Sequence, residues 1–156
     1  MQKNKYVSLL VGTLSALVLA FAAIPAAAVQ VVQVYEIGGP PVFTGTGGPG
    51  STLLVQAVLV DPANHSVVRG SKYEWCVIAG FTPQGHPLLT CYEVLAINGQ
   101  GLLFAYGTLD EALLEAFQPQ YLPVVFGTGA YANQTGWEVV QQVVFPNELL
   151  NTFYLY

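Results

Sequence analysis

Cations are scarce in this chain. Its 156 residues hold four Lys and Arg against nine Asp and Glu, for a net charge of −5. A nucleic-acid-binding surface needs clustered Lys and Arg to neutralise phosphates, so that role is disfavoured. Charge of either sign is thin, at 8%, and apolar residues make up 53%. Disordered chains show the opposite balance, so a compact fold is expected. Histidine is nearly absent. His65 and His86 fall in predicted loops, with no cysteine or carboxylate cluster at ligand spacing, so no metal site is expected and both read as solvated. There is no Gly-x-Ser-x-Gly elbow and no nucleophilic triad. The glycine-rich run Gly45-Thr46-Gly47-Gly48-Pro49-Gly50 lacks the lysine of a phosphate loop and the helix of a dinucleotide fingerprint, so it reads as a flexible hairpin loop. No cofactor is implied.

What is present begins with a basic start at Lys3 and Lys5, an apolar run from Tyr6 to Ile24, and Pro25 before Ala26-Ala27-Ala28. This order reads as a secretory signal peptide over 1–28, with one domain over 29–156. An uncleaved leader would be the only membrane attachment. Export implies an extracellular or periplasmic protein in an oxidising compartment. Removing the leader leaves Arg69 and Lys72 as the basic side chains.

Val, Tyr, Phe and Thr recur between short Gly and Pro clusters, the pattern of an all-β sandwich or barrel. Strands are predicted near 29–37, 52–60, 72–79, 88–97, 101–107, 121–126, 137–145 and 148–155. Asn98-Gly99 marks a tight hairpin. Thr108–Phe117 breaks the pattern. Leu109, Leu113, Ala116 and Phe117 share a helical face, and Thr108 and Glu111 have capping-box spacing, so a short helical turn is predicted over 108–117, covering one barrel end.

Strand parity puts Val32, Val34 and Glu36 on one face. If that face is inward, Glu36 points into the barrel, where a lone carboxylate is costly. Otherwise it sits solvated at the strand end. Arg69 and Lys72 fall at a predicted turn and a strand start, so neither stands out as its partner. Cys76 and Cys91 lie on successive strands. Their pairing would set 74 opposite 93 and 80 opposite 87, leaving a turn from Phe81 to His86. A disulfide is expected in an exported chain; two buried thiols or a reactive Cys76 are the other readings.

The opening strand VQVVQVYEI (29–37) and the segment from Tyr121 to Leu155, above all QQVVFPNELLNTFYL, resemble the allene oxide cyclase and dirigent superfamily. Gly127-Thr128-Gly129 is similar to a dirigent glycine turn. The resemblance implies an eight-stranded antiparallel β-barrel with an apolar cavity, assembled as a homotrimer. It implies relatives that cyclise unsaturated epoxides or steer phenol coupling. It places Glu36 in the cavity as a candidate catalytic residue and Cys76 at the pocket. Candidate ligand contacts are Glu36, Pro40, Phe43 and Tyr106. Gly38 stands where plant cyclases carry an asparagine, and their tyrosine near Gly107-Thr108-Leu109 is missing. Three readings follow: a secreted barrel binding a small apolar molecule, a cofactor-independent isomerase or cyclase acting on a polyunsaturated substrate, or an extracellular structural trimer. An open cavity with Glu36 at its base favours the first two.

Overall fold

The computed structural model describes residues 28–156. The expected leader up to residue 27 lies outside the described residues. Among the described residues, no helix is long and apolar enough to cross a membrane.

The strands are β1 (Gln30–Gly38), β2 (Val42–Thr44), β3 (Thr52–Asp61), β4 (Asn64–Phe81), β5 (Pro87–Ile97), β6 (Gly101–Asp110), β7 (Gln120–Gly127), β8 (Gly136–Val144) and β9 (Glu148–Leu155). They run antiparallel in the order β1-β9-β8-β7-β6-β5-β4-β3, and β1 pairs again with β3. That second pairing closes an eight-stranded antiparallel β-barrel. Closure leaves no free edge among these strands. The short β2 lies against the start of β3 through Val42–Leu54, Phe43–Leu53 and Thr44–Thr52.

Alternation decides what enters the barrel. On β5, Leu89, Cys91, Glu93, Leu95 and Ile97 are buried, while the intervening residues are partly or fully exposed. One end is filled by Val34, Leu59, Leu95, Leu103, Val124, Tyr131, Phe153 and Leu155. A second apolar cluster surrounds Cys76, Ile78, Leu89, Cys91, Ala105, Leu109, Leu122 and Val140. The glycine turn resembling that of dirigent proteins has a steric cause. A Cβ on Gly127 would stand 2.3 Å from Tyr131 O, and Gly129 has φ +61 with Gln100 O 2.4 Å from where its Cβ would be. Both positions are closed to larger residues.

Four expectations are corrected. β4 spans 18 residues, so it begins at Asn64 rather than 72 and takes in His65, Arg69 and Lys72. His65 is therefore a strand residue that stacks on Tyr35 at 3.9 Å between ring centroids, and Arg69 pairs with Asp61. Cys76 faces Cys91 and Glu74 faces Glu93 as expected, but a bulge between Ile78 and Gly80 puts Leu88 opposite Gly80. The connecting loop is thus 82–86, one residue shorter than expected. The helix, α1 (Glu111–Glu115), starts later than 108 because β6 keeps pairing with β5 as far as Asp110. Its cap is Asp110, which accepts from Ala112 N at 3.0 Å. Leu113 and Phe117 stay exposed, and Leu114 is the helical side chain packed on the interior.

Candidate functional site

The interior holds charge at mid-height. Glu36 on β1, Lys72 and Glu74 on β4, Glu93 on β5 and Glu138 on β8 are all buried and all occupy inward positions. Lys72 Nζ stands 2.9 Å from Glu36 Oε2, 2.9 Å from Glu93 Oε2 and 3.1 Å from Glu74 Oε2. It donates a hydrogen bond to Glu36, and Asn151 Nδ2 donates a second to the same oxygen at 2.8 Å. Glu93 is close to the ammonium without hydrogen-bond alignment, and both oxygens of Glu138 lack a partner.

One ammonium cannot offset so many ionised carboxylates in a desolvated layer. Burial pushes the Glu93 carboxyl up to about 8 against the pull of Lys72, with Glu74 and Glu36 raising it further. Burial also lifts Glu138 well above the usual carboxylate range, reinforced by Glu93 and opposed by Lys72. Burial alone would lower the Lys72 pKa, but the surrounding carboxylates hold it well above its ordinary value. At neutral pH Lys72 is charged and Glu93 keeps its proton, and Glu138 is shifted in the same direction as Glu93.

Above this layer lies a cavity of about 240 Å³. Its walls include Leu53, Val55, Leu89, Leu109, Val140 and Leu149, and α1 contributes Leu114. Glu36, Glu74 and Gln142 are polar residues of its lining, which also includes Gly38 and Asn147. Gly38 is locked in place by its N–H, which donates to Asn147 O at 2.7 Å.

Sequence reasoning and structure meet at Glu36, which is 1% exposed and lines the cavity. Its partner is Lys72, in contrast to the reading that left Glu36 without one; the length of β4 carries Lys72 into mid-strand. Pro40 is exposed, and its neighbour Pro41 lines the cavity. Phe43 is half exposed on β2, and Tyr106 is half exposed on the outer face opposite Tyr92. Glu74, Glu93, Glu138, Gln142 and Asn151 were not singled out. Cys76 and Cys91 form a disulfide, and Glu74 Oε1 lies 3.1 Å from Cys76 Sγ. Glu74, Cys76 and Cys91 converge closely, but both sulfurs are committed to the disulfide and are not free to ligate a metal.

No protein-family profile matches the chain, and neither does any curated protein. Solved structures do. The chain is similar to pyocyanin demethylase, with 20% identity over 81% of this chain and 100% of the other, at TM-score 0.68. The Diels-Alderase AbmU from Streptomyces koyangensis is 22% identical over 93% of this chain and 71% of its own, at TM-score 0.68. The pterocarpan synthase dirigent protein PsPTS1 is 14% identical over 83% and 94%, at TM-score 0.62. At these identities the likeness is one of fold.

Proposed function

We propose that the barrel takes up a small, largely apolar molecule, with its apolar body among Leu53, Leu89, Leu109, Leu114, Val140 and Leu149 and its polar end toward Glu36, Glu74 and Gln142. The observation that carries this reading is the cavity itself: apolar walls ending on a few polar groups, the usual makeup of a small-molecule site. The similar barrels include pyocyanin demethylase, named for a small organic substrate, and a Diels-Alderase, which supports the same use of the interior. The test is titration with an apolar fluorescent probe. Saturable binding is expected, and Leu114→Trp, which fills the cavity from α1, should abolish it without unfolding the barrel. Probe binding that ignores this substitution would sink the reading.

A second reading is that the bound molecule is cyclised or isomerised, as the resemblance to allene oxide cyclase implies. The observation favouring it is the pair of buried acids beneath the cavity, Glu93, pushed up to about 8, and Glu138, raised in the same direction by burial. Glu36 is then the candidate catalytic residue. Such a reaction conserves every atom and needs no cofactor, because holding a flexible chain in one conformation supplies much of the rate. Its check is incubation with polyunsaturated candidates, followed by chromatography for a product of unchanged mass.

Export through the leader and assembly as a homotrimer complete the proposal. The outer face supports assembly, since Tyr73, Trp75, Tyr92, Tyr106, Tyr121 and Trp137 are each at least two-fifths exposed. Aromatic residues are enriched in protein interfaces, where charge is depleted. Light scattering showing only one-chain mass at micromolar concentration would refute the trimer.

A further inference from the structure

We propose that the cavity selects ligands whose polar end is a protonated amine and rejects carboxylic acids of the same shape. This rests on the pocket reading above and names its ligand class. The residues lining the cavity include Glu36 and Glu74 at the floor and Glu111 and Glu115 at the mouth, and none of the lining residues is Lys, Arg or His. Lys72 is fully buried below the floor and already in contact with Glu36, Glu74 and Glu93. It is not among the residues lining the cavity, and its charge is already set against those three carboxylates. Of its partners, Glu36 is also bonded to Asn151, while Glu74 keeps one oxygen against only the disulfide sulfur of Cys76. Both bonds to Glu36 fall on Oε2, so Glu36 and Glu74, which both line the cavity, are the carboxylates that a ligand's donors can meet.

A second observation is independent of the acids. Gln142 is 3% exposed, lines the same cavity, and its Nε2 has no hydrogen-bond partner. A buried amide without partners is costly unless something enters to meet it. Either end of that amide can be presented by a half-turn about its last bond. The amide offers a donor as placed and an acceptor after that turn, so it meets a polar end of either kind, and the charge of Glu36 and Glu74 decides between them. A carboxylate ligand finds one neutral donor, the Gln142 amide, against Glu36 and Glu74 at the floor and Glu111 and Glu115 behind it. Like charges in a partly desolvated space repel strongly.

The groups that set pH dependence are Glu36 from β1, Lys72 and Glu74 from β4, Glu93 from β5, Glu138 from β8, and Glu111 and Glu115 from α1, with His86 acting on Glu111. As pH rises through the range where Glu93 ionises, the floor gains negative charge while an alkylamine, with a pKa near that of lysine, stays protonated.

The experiment is a calorimetric or probe-displacement titration of the whole protein with octylamine, octan-1-ol and octanoate at pH 7, and with octylamine again at pH 8.5. Octylamine should bind at least tenfold more tightly than octanoate, with octan-1-ol between them, and more tightly still at the higher pH. Glu74→Gln should shrink the amine-to-acid ratio severalfold. If that variant does not fold, the paired mouth substitutions Glu111→Gln and Glu115→Gln, on partly exposed positions, should shrink it in the same direction. Octanoate binding as tightly as octylamine would overturn this inference and leave the pocket standing. Failure of all three ligands and of the apolar probe would overturn the pocket, and the amine selectivity with it.

Discussion

Lys72 Nζ stands 2.9 Å from Glu36 Oε2 inside the barrel, each side chain 1% exposed. The pair joins β4 to β1, strands that share no ladder, because β3 lies between them. Lys72 is the single cation of a layer that also contains Glu74, Glu93 and Glu138. Removing a partner from a buried pair leaves an uncompensated charge, typically worth about 3–5 kcal/mol. Lys72→Met should therefore destabilise the barrel by that order at pH 7. The loss should be smaller at pH 4, where the carboxylates can take protons. Glu36→Gln should cost less, since Lys72 retains Glu74. Urea unfolding of both variants at the two pH values checks this, and a Lys72→Met protein as stable as wild type at pH 7 would contradict it.

Glu93 gives stability a slope with pH. Its folded-state pKa, about 8, lies above the ordinary 4.5. Between those values the native state holds a proton that the unfolded state has released. Stability must then fall as pH rises, by about 1.4 kcal/mol per unit for one such group. The effect is absent below about 4.5 and complete once pH passes the folded value. Glu138 is raised for the same reason and adds to the slope. Unfolding measured from pH 5 to pH 8 should show this decline, and Glu93→Gln should flatten part of it. Stability that rises across this window would show that these acids are ionised in the fold.

The barrel was legible because alternation and turn chemistry agree along nearly every strand. The site was legible in part. Val32, Val34 and Glu36 share a face, and that parity alone pointed Glu36 inward. The cysteine register set Glu74 opposite Glu93, a like-charged pair that is unfavourable across strands unless a cation sits between them. That conflict was the available signal for Lys72, which is two residues from Glu74 on the same face. It was missed because the strand start was drawn at 72, whereas β4 runs from Asn64. Glu138 gave no comparable signal. Its strand reads WEVVQQVV, apolar on both faces, because Val139 and Val143 face outward on a barrel whose exterior is itself apolar. β2 was hidden too, since three residues between glycine-rich turns carry no period.

The disulfide supplies a third prediction. Cys76 and Cys91 are 15 residues apart on paired strands. Closing a loop of that length contributes roughly 3 kcal/mol through the unfolded chain. Reduction, or paired replacement by alanine, should lower stability by that order while the strands remain. Non-reducing peptide mapping together with thermal unfolding in the presence and absence of a dithiol tests both points. Free thiols in the protein isolated from its own source, or a melting temperature indifferent to the dithiol, would refute it.

The last prediction concerns α1 as the movable wall of the cavity. The helix has only five residues, too few to persist by itself in water. It is held at its start by Asp110, whose carboxylate accepts from Ala112 N and whose main chain is clamped by Gln120. Gln120 Oε1 accepts from Asp110 N at 2.7 Å, and its Nε2 donates to Asp110 O at 2.8 Å. The helix carries Glu111, Leu114 and Glu115, all lining the cavity. Asp110→Ala removes the cap and should cost about 1 kcal/mol. The Gln120 clamp stays, because it uses the main chain of residue 110. Global stability should thus fall only slightly, while the wall formed by Leu114 loosens. Affinity for an apolar probe should drop several-fold, with faster dissociation. Gln120→Ala should act in the same direction and more strongly, since it leaves the Asp110 N–H and carbonyl without those partners. Stopped-flow release of the probe from the three proteins makes the comparison. Equal release rates would mean that the mouth is shaped by the strands alone and that α1 plays no part in holding a ligand.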